Sequence, residues 1–226
     1  GWRREKSKQL FQLLLTYRSS MLDRDQICEH LWPETDPDIA QRNFKTALNT
    51  LYRVLEPERE PGKSSSFIVR DGTTYRLRRT ADLWLDAEEF AETTRQVSSA
   101  TPPDLGLLQR AVSLYAGEYL PETLYETWAA EERERLSALF LEIADQLAGM
   151  HLELKQYAEV IEHCQRILAQ DNCWERAYRY MMLAYDHLGD RGQVGRTYQR
   201  CVQTLQDELD VPPSKETEML YASLTR

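Results

Sequence analysis

Apolar positions recur at helical spacing through most of the chain, and one stretch organises the rest: Asp36 to Leu55, DPDIAQRNFKTALNTLYRVL. Ala40, Phe44, Ala47, Leu48, Leu51 and Leu55 fall on one arc of a helix. Arg42, Lys45, Thr46, Asn49 and Arg53 fall on the opposite arc, with no carboxylate among them. Asp36 is a natural N-cap, and Pro37 suits the first helical position, where no backbone N–H is needed. Arg and Asn are the side chains that bond bidentately to guanine and adenine edges, and Lys and Thr suit phosphates and mixed contacts. The arc reads as the base-reading face of a DNA recognition helix.

The preceding pattern supports that reading. A first helix is expected over Arg4–Tyr17, burying Leu10, Leu13, Leu14 and Tyr17. Arg3, Arg4, Lys6 and Lys8 crowd its first turns against the helix dipole, a placement that a phosphate backbone would reward. Asp23-Arg24-Asp25-Gln26 has capping-box form and opens a second helix with Ile27, Leu31 and Trp32 on its apolar side. Pro33 stops that helix, and Glu34-Thr35 links it to the third, which is the helix-turn-helix order.

After a Pro-, Gly- and Ser-rich loop, Phe67–Arg70 and Thr73–Arg78 flank Asp71-Gly72, a hairpin signal. Arg70, Arg76, Arg78 and Arg79 line the hairpin, so it reads as a wing laid along the DNA backbone or into the minor groove. Leu83-Trp84-Leu85 is expected to add a short strand.

From Asp86 onward the periodicity is helical almost throughout. Helices are expected over about 86–97, 105–117, 122–150, 153–169, 174–188, 191–208 and 214–225. An offset of 34 residues aligns Leu154 with Leu188, Val160 with Val194, Cys164 with Tyr198 and Leu168 with Val202. That is the tetratricopeptide period, whose stacked helix pairs leave a concave surface for a partner. Tyr178, Tyr180, Tyr185 and Tyr198 either line that surface or join the core.

Charge sharpens the division. The net charge is −9, yet residues 1–80 carry +4 and residues 81–226 carry −13, the asymmetry of a nucleic-acid module joined to an acidic one. No apolar run approaches a membrane span, and the start lacks a signal-peptide core, so a cytoplasmic protein is expected. Cys28, Cys164, Cys173 and Cys201 lack C-x-x-C spacing and are expected to be reduced, buried thiols within helices. Gly62-Lys63-Ser64 imitates the tail of a phosphate-binding loop, but Pro57 occupies the first glycine position and a helix precedes where a strand is required. No metal site, cofactor or catalytic constellation is expected, and the chain does not read as an enzyme.

The combination resembles a known family. Residues 2–85 resemble the OmpR-type winged helix of SARP-family bacterial regulators. The resemblance is carried by Trp2-Arg3-Arg4-Glu5-Lys6, Leu31-Trp32-Pro33, Ala40-Gln41-Arg42-Asn43-Phe44, Leu48-Asn49-Thr50-Leu51 and Tyr75-Arg76-Leu77. Residues 86–226 are similar to the bacterial transcriptional activator domain, a bundle of tetratricopeptide-like repeats. Its marks are Trp84-Leu85-Asp86 through Phe90, Tyr115 through Leu120, and Leu205 through Pro213.

The resemblance implies a mainly α protein in two domains, 1–85 and 86–226. It implies a sequence-specific activator whose partners are double-stranded DNA, RNA polymerase and a second copy or an upstream sensory or ATPase domain. The alternative is an interaction module of a larger signalling ATPase in which the winged helix does not bind DNA. Two departures stand out. Tyr52 occupies a position where the family usually has a second Arg, leaving one basic contact missing or replaced by stacking. The family's N-terminal strands are also missing, which implies a fragment of a longer regulator.

Overall fold

The computed structural model describes residues 5–60, 62–78 and 83–226. The chain divides into two compact units: Gly1–Trp84 with Tyr119–Arg133, and Leu85–Glu118 with Glu134–Arg226.

In the first unit, α1 (Glu5–Thr16) buries Leu10, Leu13 and Leu14. Tyr17 lies beyond its end, half-buried, with its ring stacked on His30 at 5.7 Å. β1 (Leu22–Asp23) leads into α2 (Arg24–Leu31), whose capping box is formed as its sequence requires. Asp23 accepts from the backbone N–H of Asp25 at 2.8 Å, and Gln26 accepts from that of Asp23 at 2.9 Å. α3 (Pro37–Leu55) is capped by Asp36, which accepts from the N–H groups of Asp38 and Ile39. Its buried arc is Ala40, Phe44, Ala47, Leu48 and Leu51, while Leu55, near the helix end, is only half-buried.

β2 (Ile68–Asp71) and β3 (Thr74–Leu77) form the hairpin, and β1 pairs with β3 to complete a three-stranded antiparallel sheet in the order β1-β3-β2. Two expectations change here. The third strand is Leu22–Asp23, and residues 83–85 have no regular structure. The turn is Gly72-Thr73, because Asp71 pairs with Thr74. Gly72 takes φ 57° at the first turn position, the arrangement of a type II′ turn, which favours Gly there. The shift moves the pairing by two residues, so Ile68 faces Leu77 instead of Tyr75 while every side chain keeps its face. Ile68, Tyr75 and Leu77 are buried.

A strap from later in the chain completes this unit. It holds two short 3-10 turns, Pro121–Thr123 and Thr127–Ala129, in place of the continuous helix expected from 122. Trp128 (4% exposed) and Ala129 (0%) belong to the same hydrophobic cluster as Leu10, Leu13, Phe44 and Leu51.

The second unit is helical: α4 (Asp86–Ser99), α5 (Leu105–Leu114), α6 (Ala130–Glu153), α7 (Tyr157–Gln170), α8 (Glu175–His187), α9 (Arg191–Leu209) and α10 (Lys215–Leu224). The boundary between the two units falls within α6. α4 packs on α5, α7 on α8, α8 on α9, and α10 on both α8 and α9. The N-cap of α4 is Leu85, which makes no side-chain cap bond.

The core joins Phe140 of α6 to Tyr115 in a ring stack at 4.4 Å. Buried Asp145 of α6 accepts from Trp174 Nε1 at 2.9 Å and from Arg176 at 2.7 Å. Of the aligned repeat positions, Val160 and Val194 are both buried, whereas Leu154 and Leu188 are exposed at helix ends. Tyr178 is fully buried; Tyr180, Tyr185 and Tyr198 are half-buried. Cys28, Cys164 and Cys201 are buried free thiols, but Cys173 is half-buried in the turn before α8.

Candidate nucleic-acid interface

The rotation of α3 about its axis decides what the surface offers. Phe44 is buried against the edge of the Tyr75 ring, with centroids 5.0 Å apart at 69°. That contact and its buried neighbours turn Arg42, Lys45, Thr46, Asn49 and Arg53 to solvent, and all five are exposed. Arg42 Nε donates to the carbonyl of Asp38 at 3.2 Å, leaving its outer guanidinium nitrogens for a ligand. Thr46 donates to the carbonyl of Arg42 at 3.1 Å, so its hydroxyl proton is already used within the helix.

The hairpin arginines divide. Arg76 and Arg78 alternate with buried Tyr75 and Leu77 and share the outer face of the sheet. Arg70 lies on the other face beside its cross-strand partner Tyr75, with its guanidinium 5.8 Å from that ring and its Nε donating to the carbonyl of Gly72. The structure therefore groups Arg76 with Arg78 and turns Arg70 toward the α3 side. Arg79 and the basic residues Arg3 and Arg4 lie outside the described residues.

Ion pairing separates the remaining basic groups. Lys8 pairs with Glu122 at 2.8 Å, Arg18 with Glu132 at 3.0 Å, Arg24 with Asp25 at 3.1 Å, and Lys63 with Glu60 at 2.9 Å. Among the described residues, Arg42, Lys45, Arg53, Arg70, Arg76 and Arg78 have no carboxylate partner. An unpaired cation keeps its full field for an incoming anion, whereas a paired one must first give up its carboxylate. Lys8, expected to face phosphate, is thus already engaged. Its hydrogen bond to Glu122 raises the Lys8 pKa and holds that of the carboxyl below its usual value.

Three supports escaped the sequence reading. Asp23 accepts from Thr73 Oγ1 at 2.6 Å, tying the cap of α2 to the hairpin turn, and this bond and that of the Asp25 N–H hold its carboxyl below the usual range. Glu56, at the end of α3, accepts from Ser65 Oγ at 2.5 Å and the Ser66 N–H at 2.6 Å, fixing the loop into β2. Arg59 stacks over Tyr52 at 4.1 Å, so the ring that replaces the family's second Arg carries a guanidinium from the loop. A long-range partner leaves no local signal in sequence. Only the capping-box form of Asp23 gave a hint.

No helix among the described residues is long and apolar enough to cross a membrane. Nor do those residues bring together three or more His, Cys, Asp or Glu side chains that could hold a metal ion.

The first unit is an α/β unit whose described basic residues on α3 and the hairpin lack carboxylate partners, and the second is a helical array. Residues 82–225 match the bacterial transcriptional activator domain, and the chain belongs to that family, within regulators of the SARP type. The chain is 26% identical over 211 residues to the regulatory protein AfsR of Streptomyces coelicolor, an alignment covering 90% of this chain and 20% of AfsR. It also shares the fold of EmbR from Mycobacterium tuberculosis, solved in complex with a low affinity phosphopeptide. The TM-score is 0.76 at 18% identity, covering 98% of this chain and 59% of the EmbR chain. The chain thus spans about a fifth of AfsR and just under three fifths of EmbR.

Proposed function

We propose that the first unit is an OmpR-type winged helix that binds duplex DNA, with α3 in the major groove and the β2–β3 hairpin as the wing. The observation that supports this reading is the sorting of charge. Among the described residues, the basic side chains of α3 and the hairpin lack carboxylate partners, while most of those on α1, α2 and the loop after α3 are paired. Arg42 and Asn49 take base edges; Lys45, Arg53, Arg70, Arg76 and Arg78 take phosphates; Thr46 acts as an acceptor.

The second unit, tetratricopeptide-like in its antiparallel helix pairs, works through protein contact, with RNA polymerase or a second copy as partner. Its sequence is strongly acidic, which disfavours close approach to a duplex. The protein is then a transcriptional activator in the cytoplasm.

The test is affinity for duplex DNA against salt concentration, with binding followed by fluorescence anisotropy. A log–log slope of about −0.9 per phosphate contact is expected. Binding that is absent at low salt would instead favour an interaction module whose winged helix contacts protein.

A further inference from the structure

We infer that Ile39 is a specificity residue that reads the C5-methyl group of a thymine. This rests on the assignment of α3 as the recognition helix. Ile39 is 44% exposed although it sits in the first turn of a well-capped helix, where the Asp36 carboxylate accepts from its backbone N–H at 3.4 Å. Its neighbour Ala40 is buried (3%), so the backbone there is fixed against the core and Ile39 is held outward.

Ile39 precedes Arg42 by three positions and Thr46 by seven, which places it on the same arc as both. It is the one large apolar side chain on that arc. Val54, also exposed (38%), lies off the arc that carries Arg42 and Asn49.

Recognition helices present their N-terminal residues to base edges. In the major groove, the apolar group on a base edge is the thymine methyl; every other recognition feature is a polar donor or acceptor. An exposed isoleucine at this point therefore matches thymine and leaves an unsatisfied polar edge against the other bases. Three helical residues rise about 4.5 Å, and stacked bases repeat at about 3.4 Å, so the thymine falls within about two base pairs of the position read by Arg42.

The test uses the full chain and duplexes enriched from a random library. Each thymine in an enriched duplex is replaced singly by deoxyuridine, which removes the methyl alone. The wild type is expected to lose about fourfold in affinity at one thymine, the worth of one buried methyl group. That thymine should lie within about two base pairs of the position whose preference Arg42→Ala relaxes.

Ile39→Ala should bind the parent and uridine duplexes equally and keep an unchanged Tm, because the side chain is exposed. Insensitivity of the wild type to every uridine overturns the inference, and so does a uridine penalty that survives in Ile39→Ala. Failure of the DNA-binding assignment itself looks different: no duplex is enriched and no salt-dependent binding is seen, which overturns both.

Discussion

Gln9 donates a hydrogen bond to Glu126 at 3.0 Å across 117 positions of sequence. Glu126 also accepts from the indole of Trp128 at 3.1 Å, so one carboxylate fastens both ends of the contact between α1 and the strap. Trp128 is buried (4% exposed) in the same hydrophobic cluster as Leu10, Leu13 and Leu14 of α1. Trp128→Ala should cost about 3–5 kcal/mol of stability in the first unit, measured by urea unfolding. A fragment ending at residue 85 should be correspondingly unstable, and adding Tyr119–Arg133 as a peptide should raise its Tm. An unchanged Tm would show that α1 holds its place without the strap.

Base and phosphate contacts separate by experiment. Arg42→Ala and Asn49→Ala should each cost about 1–3 kcal/mol on an enriched duplex and relax one position. Arg76→Ala, Lys45→Ala or Arg53→Ala should weaken all duplexes alike and flatten the salt slope by about one unit. Equal loss on enriched and random DNA would make Arg42 and Asn49 phosphate ligands as well.

Acid should weaken the second unit. His151 and His163 stack at 5.2 Å, and His151 Nε2 and His163 Nδ1 are buried without a hydrogen-bond partner among the described residues. Burial, followed by the neighbouring His151, lowers the His163 pKa; the charges of Glu162 and Glu159 oppose this and that of Arg166 adds to it. A histidine with a depressed folded pKa contributes stability that is present above its unfolded value, about 6.5, and lost as pH falls through the folded value. The urea midpoint should therefore drop from pH 7.5 toward pH 5, and His163→Gln should reduce that drop. A slope unaffected by the substitution would place the acid sensitivity elsewhere.

Backbone strain offers a stabilising change. Lys155, exposed between α6 and α7, adopts φ 59°. A side chain in that left-handed conformation costs about 1–2 kcal/mol, part of which glycine recovers. Lys155→Gly should raise stability by about 0.5–1 kcal/mol, read from the denaturant midpoint. A lower midpoint would mean that the lysine stem makes contacts that outweigh the strain.

Thiol reactivity should follow burial. The Cys201 thiol is pushed up to about 12 by burial, and Cys164 higher still, so neither presents a thiolate near neutral pH. Half-buried Cys173 should be labelled first by a thiol reagent in the native protein, as mass spectrometry of the peptides would report. Equal labelling of Cys164 and Cys201 would reveal opening of the helical array.

The sequence by itself determined the elements whose cause is local. The capping box at Asp23, the N-cap at Asp36 and the two opposed arcs of α3 follow from residues within one helix, so period and cap chemistry suffice to find them. Val160 and Val194 were likewise legible from the repeat.

Tertiary structure decided what depends on a distant partner. The third strand is Leu22–Asp23 because its edge meets β3, and two residues are too few to carry a period. The hairpin turn falls on Gly72-Thr73, with Gly72 at the positive-φ first position of a type II′ turn and Asp71 drawn into the ladder opposite Thr74. The strap left the helix pattern because Trp128 gains a buried site against α1, a gain invisible at helical spacing. The candidate interface shows the same division. Which side chains α3 presents was written in its own twenty residues; that Lys8 and Arg18 are paired was settled by Glu122 and Glu132 arriving from more than 100 positions away.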